Sequence, residues 1–127
     1  MSAAIVDINT HSDADFVKAF MLKVTNETGD FYYDFAGATM AMMVRKRPED
    51  AEVYVELSTD PGDGIALSAS DPTTPTLLDT INITIRRAQL ALMPAGDYAH
   101  SLIMLRPDGM RDDIWRGTLT HQIGPTR

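Results

Sequence analysis

The sequence predicts an all-β fold, an antiparallel immunoglobulin-like β-sandwich of about eight short strands with a tyrosine-corner-like turn. Three observations carry that expectation. Apolar and polar residues alternate with a period of two in several segments, most clearly Ile81-Asn82-Ile83-Thr84-Ile85, as half-buried strands require. Clusters of Gly, Pro, Asp and Asn separate those segments at short intervals. Between Leu90 and Ile123, Pro94, Gly96 and Tyr98 form a corner and an alternating run follows; Pro107-Asp108-Gly109 then supplies a tight turn, and a second run carries Trp115. In sandwiches of this kind a corner tyrosine ties the start of a strand to nearby backbone through its hydroxyl.

The elements follow in chain order. Val6 to Thr10 reads as a first strand within a candidate N-terminal arm, residues 1–10, and residues 11–15 as a turn. Phe16 to Val24 reads as one strand, with Phe20, Leu22 and Val24 on one face and Lys18 exposed or at the edge. After the polar cluster 25–30 comes the short aromatic segment Phe31 to Phe35, punctuated by Gly37. Thr39 to Arg45 then places Met40, Met42 and Val44 on one face and Thr39, Ala41 and Met43 on the other. Val53, Val55 and Leu57 alternate against Tyr54, Glu56 and Ser58, and residues 60–64 turn the chain into a short strand, Ile65 to Ser68. The stretch 71–75 holds two prolines and is a loop, because proline cannot donate within a central ladder. After the Ile81 to Ile85 strand, Ile85, Ala88, Gln89 and Leu92 have the spacing of a single helical turn crossing the sandwich. Tyr98 to Arg106 and Asp113 to Ile123 form the final hairpin.

The 127 residues make one domain, 1–127, large enough to bury a core without disulfides or metals. No cysteine is present, which removes disulfides, thiolate metal sites and thiol nucleophiles. The net charge of −7 argues against a nucleic-acid partner, because phosphate neutralisation needs clustered Lys and Arg. The start of the chain lacks a basic, apolar leader and no run approaches membrane-spanning length, so a soluble protein with no export signal and no membrane partner is expected.

Little in the chain points to catalysis. His11, His100 and His121 have no metal-ligand spacing, although His100 and His121 lie on opposite arms of the last hairpin, where a zinc pair competes with two ordinary histidines. Asp60-Pro61-Gly62-Asp63-Gly64 has calcium-loop residue types but lacks the alternating ligand run and terminal Glu of an EF-hand. There is no Gly-x-Ser-x-Gly elbow, no Gly-rich phosphate loop and no preferred pair of carboxylates. No catalytic, cofactor-binding or metal-binding residue is assigned. The residues singled out for contact with a partner are Tyr32, Tyr33 and Trp115, as aromatic platform or inter-strand packing, and Met43. Met43 stands on the strand face opposite Met40 and Met42, which would bury one sheet on both sides, as in a packed assembly.

Taken in order, the motifs span nearly the whole chain. Asp15-Phe16 leads the Phe20/Leu22/Val24 strand; Asp34-Phe35-Ala36-Gly37-Ala38-Thr39 leads Met42, Val44 and Arg45; Glu56-Leu57-Ser58-Thr59 and the Ile81/Ile83/Ile85 strand follow. Leu92-Met93-Pro94-Ala95-Gly96-Asp97-Tyr98 comes next, then Asp108-Gly109, Trp115-Arg116-Gly117-Thr118-Leu119 and a terminal Thr126-Arg127. This order resembles that of small β-sandwich proteins encoded among the structural genes of tailed bacteriophages and prophages, and is similar to the N-terminal domain of phage baseplate upper proteins. The resemblance implies a non-enzymatic virion structural protein, made in the host cytoplasm, that docks on other virion proteins in symmetric copies. It carries over no catalytic residue and no cofactor. A baseplate upper protein continues into a stalk, whereas this sequence stops after the sandwich, which points to a tail, baseplate or neck accessory or a capsid decoration protein. The alternative, resting on the aromatics, is a carbohydrate- or host-receptor-binding module.

Overall fold

In the computed structural model, residues 4–26 and 29–124 are described. Eleven strands and one helical turn follow in order: β1 (Ala4–Ile5), β2 (Ile8–His11), β3 (Phe16–Met21), β4 (Lys23–Asn26), β5 (Gly29–Tyr32), β6 (Thr39–Arg45), β7 (Val55–Ser58), β8 (Ile65–Ser68), β9 (Thr80–Ile85), α1 (Arg87–Leu90), β10 (Gly96–Leu105) and β11 (Arg111–Gln122). The fold is all-β and sandwich-like. A large sheet runs β11-β10-β6-β7, with β1 and β2 both along the outer edge of β11; a smaller sheet runs β3-β9-β8; β4 and β5 form a separate hairpin.

Period-two alternation drives the packing. On β6, Met40, Met42 and Val44 are buried while the residues between them are not. On β10, Tyr98, His100, Leu102 and Met104 point the same way. They meet Ile81, Ile83 and Ile85 of β9 and Ile65 of β8 in one continuous apolar cluster, which Phe35, Leu90 and Met93 complete. The β10–β11 register shifts between Leu102 and Ile103, so that Leu102 opposes Trp115 and Ile103 opposes Asp113. Ile114 is the extra residue of this bulge, and it lets two successive residues, Ile114 and Trp115, both turn inward.

The corner is built as its residues suggest. Gly96 takes a φ of 145° that disfavours side chains, and the Tyr98 hydroxyl donates to the Pro94 carbonyl four residues upstream. The Tyr98 ring packs edge-on against Tyr54, with centroids 5.1 Å apart, and lies under the Lys46 ammonium. Burial raises the Tyr98 pKa, so this hydroxyl stays a donor.

Several elements differ from the sequence expectation. The first strand divides at Val6–Asp7, and both halves pair in parallel with β11, so the sheet is not antiparallel throughout. Gly117 allows the division: a Cβ there would lie 1.9 Å from the Val6 carbonyl oxygen. The candidate arm is thus laid along β11 from Ala4 onward. The expected Phe16–Val24 strand divides at Leu22, which packs on the core and whose carbonyl accepts from the Tyr33 amide, so β3 and β4 belong to different sheets. A helical turn does follow β9, but it buries Leu90 and leaves Leu92 80% exposed. Its first amide, that of Arg87, is held by the Asp15 carboxylate, and Gln89 caps the Arg86 amide.

Candidate functional site

The outward residues of β6, β10 and β11 define one surface. Pairing registers set them in five rows: Asp97–Thr120, Arg45–Ala99–Thr118, Met43–Ser101–Arg116, Ala41–Ile103–Asp113 and Thr39–Leu105–Arg111. The central strand contributes Ala99, Ser101, Ile103 and Leu105, four successive outward positions without a charge. A sheet face turned to water ordinarily alternates apolar-in with polar-out. This one is apolar on both faces along its middle.

The face is also hollow. It lines a concavity of about 1100 Å³ whose walls include Ile5 and Asp7 at one side and Pro48 at the other. The floor residues Ala41, Ala99 and Ser101 are short, while Met43, Leu105 and three arginines rise around them. Met43 is steered by Arg45, whose guanidinium sits 3.3 Å from its sulfur and donates to the carbonyls of Asp50 and Ala51 at 2.8 and 3.0 Å. Arg116 lies 3.7 Å from Asp113, both side chains being largely exposed. Asp7 accepts from the Thr118 amide at 3.2 Å.

Of the residues singled out from the sequence, Met43 and Trp115 line this concavity. Tyr32 and Tyr33 do not: Tyr32 ends β5 at 48% exposure, and the half-buried Tyr33 ring packs on Phe35 with centroids 5.0 Å apart. Trp115 borders the hollow but is only 3% exposed, its ring packed 4.6 Å from that of Phe20 on the core side. Pro94, Gly96 and Tyr98 form the corner described above, away from the hollow. Ala99, Ser101 and Ile103 went unnoticed in the sequence, although the run of uncharged alternate positions from Ala99 to Leu105 was a readable sign.

The other candidates are absorbed by structure. His100 and His121 do not converge: they oppose Gly117 and Gly96, four positions apart along the hairpin. Each instead fastens the N-terminal segment, His100 through Nε2 to the Val6 carbonyl at 2.7 Å and His121 through Nδ1 to Thr10 Oγ1 at 2.9 Å. Burial is the main cause lowering both pKa values, and for each a backbone carbonyl opposes it, Val6 for His100 and Leu90 for His121. In the 60–64 loop, the Asp63 carboxylate is engaged by the Ser58 hydroxyl. Among the described residues, no group of three His, Asp or Glu side chains converges on a metal site, and no helix is long and apolar enough to cross a membrane.

No protein-family model matches the chain, and no curated protein matches it.

Proposed function

We propose that this protein is a non-enzymatic docking domain that joins other proteins through the outer face of its large sheet. The observation that carries this reading is the uncharged row Ala99, Ser101, Ile103 and Leu105 flooring a concavity of about 1100 Å³. A sheet face turned to water ordinarily carries polar side chains, so an uncharged row of this length is what a face covered by a partner would show. The order of motifs noted in the sequence supports a tailed-phage particle as the assembly, with the domain as a tail, baseplate or neck accessory or a capsid decoration protein, present in symmetric copies. An immunoglobulin-like sandwich belongs to the same reading and draws support from the Tyr98–Pro94 tie. The carbohydrate-binding alternative has less behind it, because Trp115 is in the core and Tyr33 lies on Phe35.

Electron cryo-microscopy of particles from the source tests the proposal. The expected result is this sandwich in the map with its β6-β10-β11 face covered by a neighbouring protein. Absence of the chain from the particle, or that face turned to solvent, would overturn it.

A further inference from the structure

We infer that two copies of this chain pair through strand β3, antiparallel about Ala19. β3 ends the smaller sheet, β3-β9-β8, so one of its edges has no strand beside it among the described residues. The Thr84 amide donates to the Gly64 carbonyl, on the β8 side, so Ile81, Ile83 and Ile85 are the β9 residues whose backbone groups face β3. They pair with Phe20, Lys18 and Phe16. Val17, Ala19 and Met21 therefore aim their amides and carbonyls at the open edge, and no described residue bonds to them there. An open row of this kind is a template for another strand. β3 lacks the usual guards: its six residues hold no proline, its register with β9 is unbroken, and Val17 is 70% and Met21 39% exposed. The edge strands β7 and β8 are shorter, four residues each, and a bridge between Ser58 and Gly64 ties the end of one to the start of the other.

β3 is complementary to itself in one register. With Ala19 opposite Ala19, Val17 comes opposite Met21 of the second copy, and both pairs exchange backbone hydrogen bonds. Val17 and Met21 then make an apolar pair on the outward face. On the other face Lys18, whose ammonium already lies 5.4 Å from the centroid of its own Phe20 ring, comes opposite Phe20 of the second copy, a pairing that suits a cation and an aromatic ring. Centring the ladder one residue earlier sets Lys18 against Lys18, like charges directly opposite, and leaves Met21 without a partner. β3 carries no carboxylate, so two copies of a chain with a net charge of −7 meet at a segment free of acidic side chains. The contact is two-fold, each copy offering the same strand. It lies on the smaller sheet and stands or falls separately from docking at the outer face.

A ladder this short makes a small contact, so the test is sedimentation velocity of the full chain at concentrations reaching about 1 mM. A monomer–dimer equilibrium is expected. Ala19→Pro removes an amide that faces the open edge, where proline is tolerated, and should weaken the dimer at least about tenfold while the chain stays folded. Val17→Lys/Met21→Lys sets like charges across the ladder and should weaken it too, whereas Val17→Lys/Met21→Glu sets opposite charges there and should keep it. In the ¹⁵N-labelled chain, amide exchange at Val17, Ala19 and Met21 should slow as concentration rises. A chain that stays monomeric throughout, or a dimer that neither Ala19→Pro nor Val17→Lys/Met21→Lys weakens, would overturn the inference. Loss of the dimer in Val17→Lys/Met21→Glu would overturn the register about Ala19. Ser101→Arg is expected to dimerise as wild type does; loss of the dimer in that variant would place the contact on the outer face and overturn the role of β3.

Discussion

Across β6 and β10 the inward residues Met40, Met42, Val44, Leu102 and Met104 are 3% exposed or less, whereas the outward residues Ala41, Met43, Ala99, Ser101 and Ile103 are only half-buried and no described element covers them. The same strands thus present two largely uncharged faces. On the inner face long side chains interdigitate with Ile81, Ile83 and Ile85 and fill the space between sheets. On the outer face short side chains leave a hollow, and the charges stand at its margin. The difference separates a core that the chain closes by itself from a surface that another protein closes.

Substitutions on adjacent residues sharpen that comparison most. Leu102→Ala removes a fully buried side chain and should cost about 2–5 kcal/mol in urea unfolding. Ser101→Arg, one residue earlier and facing out, should change stability by less than about 0.5 kcal/mol. A comparable loss from both would mean the outer face is part of the fold's own stability.

The contrast between faces was half legible in the sequence. Strict alternation in Thr39–Arg45 shows that Met43 lies opposite Met40 and Met42, and β6 spans those same residues. The Tyr98 corner was legible because Pro94 and Gly96 fix it locally. Trp115 was not, because the bulge at Leu102/Ile103 changes the parity of β11 and only the paired strand reveals a bulge. The breaks at Leu22 and at Val6–Asp7 were hidden for a related reason: alternation continues through both, and distant partners, Tyr33 and Gly117, decide where the chain departs. Arg45, Arg111 and Arg116 come together only through the cross-strand register of three strands, which spacing along the chain does not encode.

Smaller effects test how the inner side is fastened. Tyr98→Phe deletes the hydroxyl that holds the Pro94 carbonyl and should cost about 1 kcal/mol. An unchanged unfolding midpoint would show that the corner is held by packing alone.

The pH response should be milder still and has a defined sign. His100 and His121 both have pKa values lowered chiefly by burial, so the unfolded chain takes up protons that the folded chain resists. Their contribution is fully present above the ordinary histidine pKa of about 6.5 and is lost as pH falls below it. Urea midpoints should therefore drop between about pH 7.5 and 5.5, and the drop should shrink in His100→Gln/His121→Gln. Asp71 and Asp79, whose pKa values are lowered by hydrogen bonds from Thr73 and Ser70, act only at more acid pH. Amide exchange in residues 4–11 should rise with the same pH dependence, since both histidines grip that segment.

The most direct measurement of the central claim is co-sedimentation of the wild-type chain and Ser101→Arg with particles from the source, after confirming that both unfold at the same urea concentration. The account expects wild type to sediment with the particles and Ser101→Arg to stay in solution. Equal sedimentation of the two would contradict it and show that partners dock elsewhere.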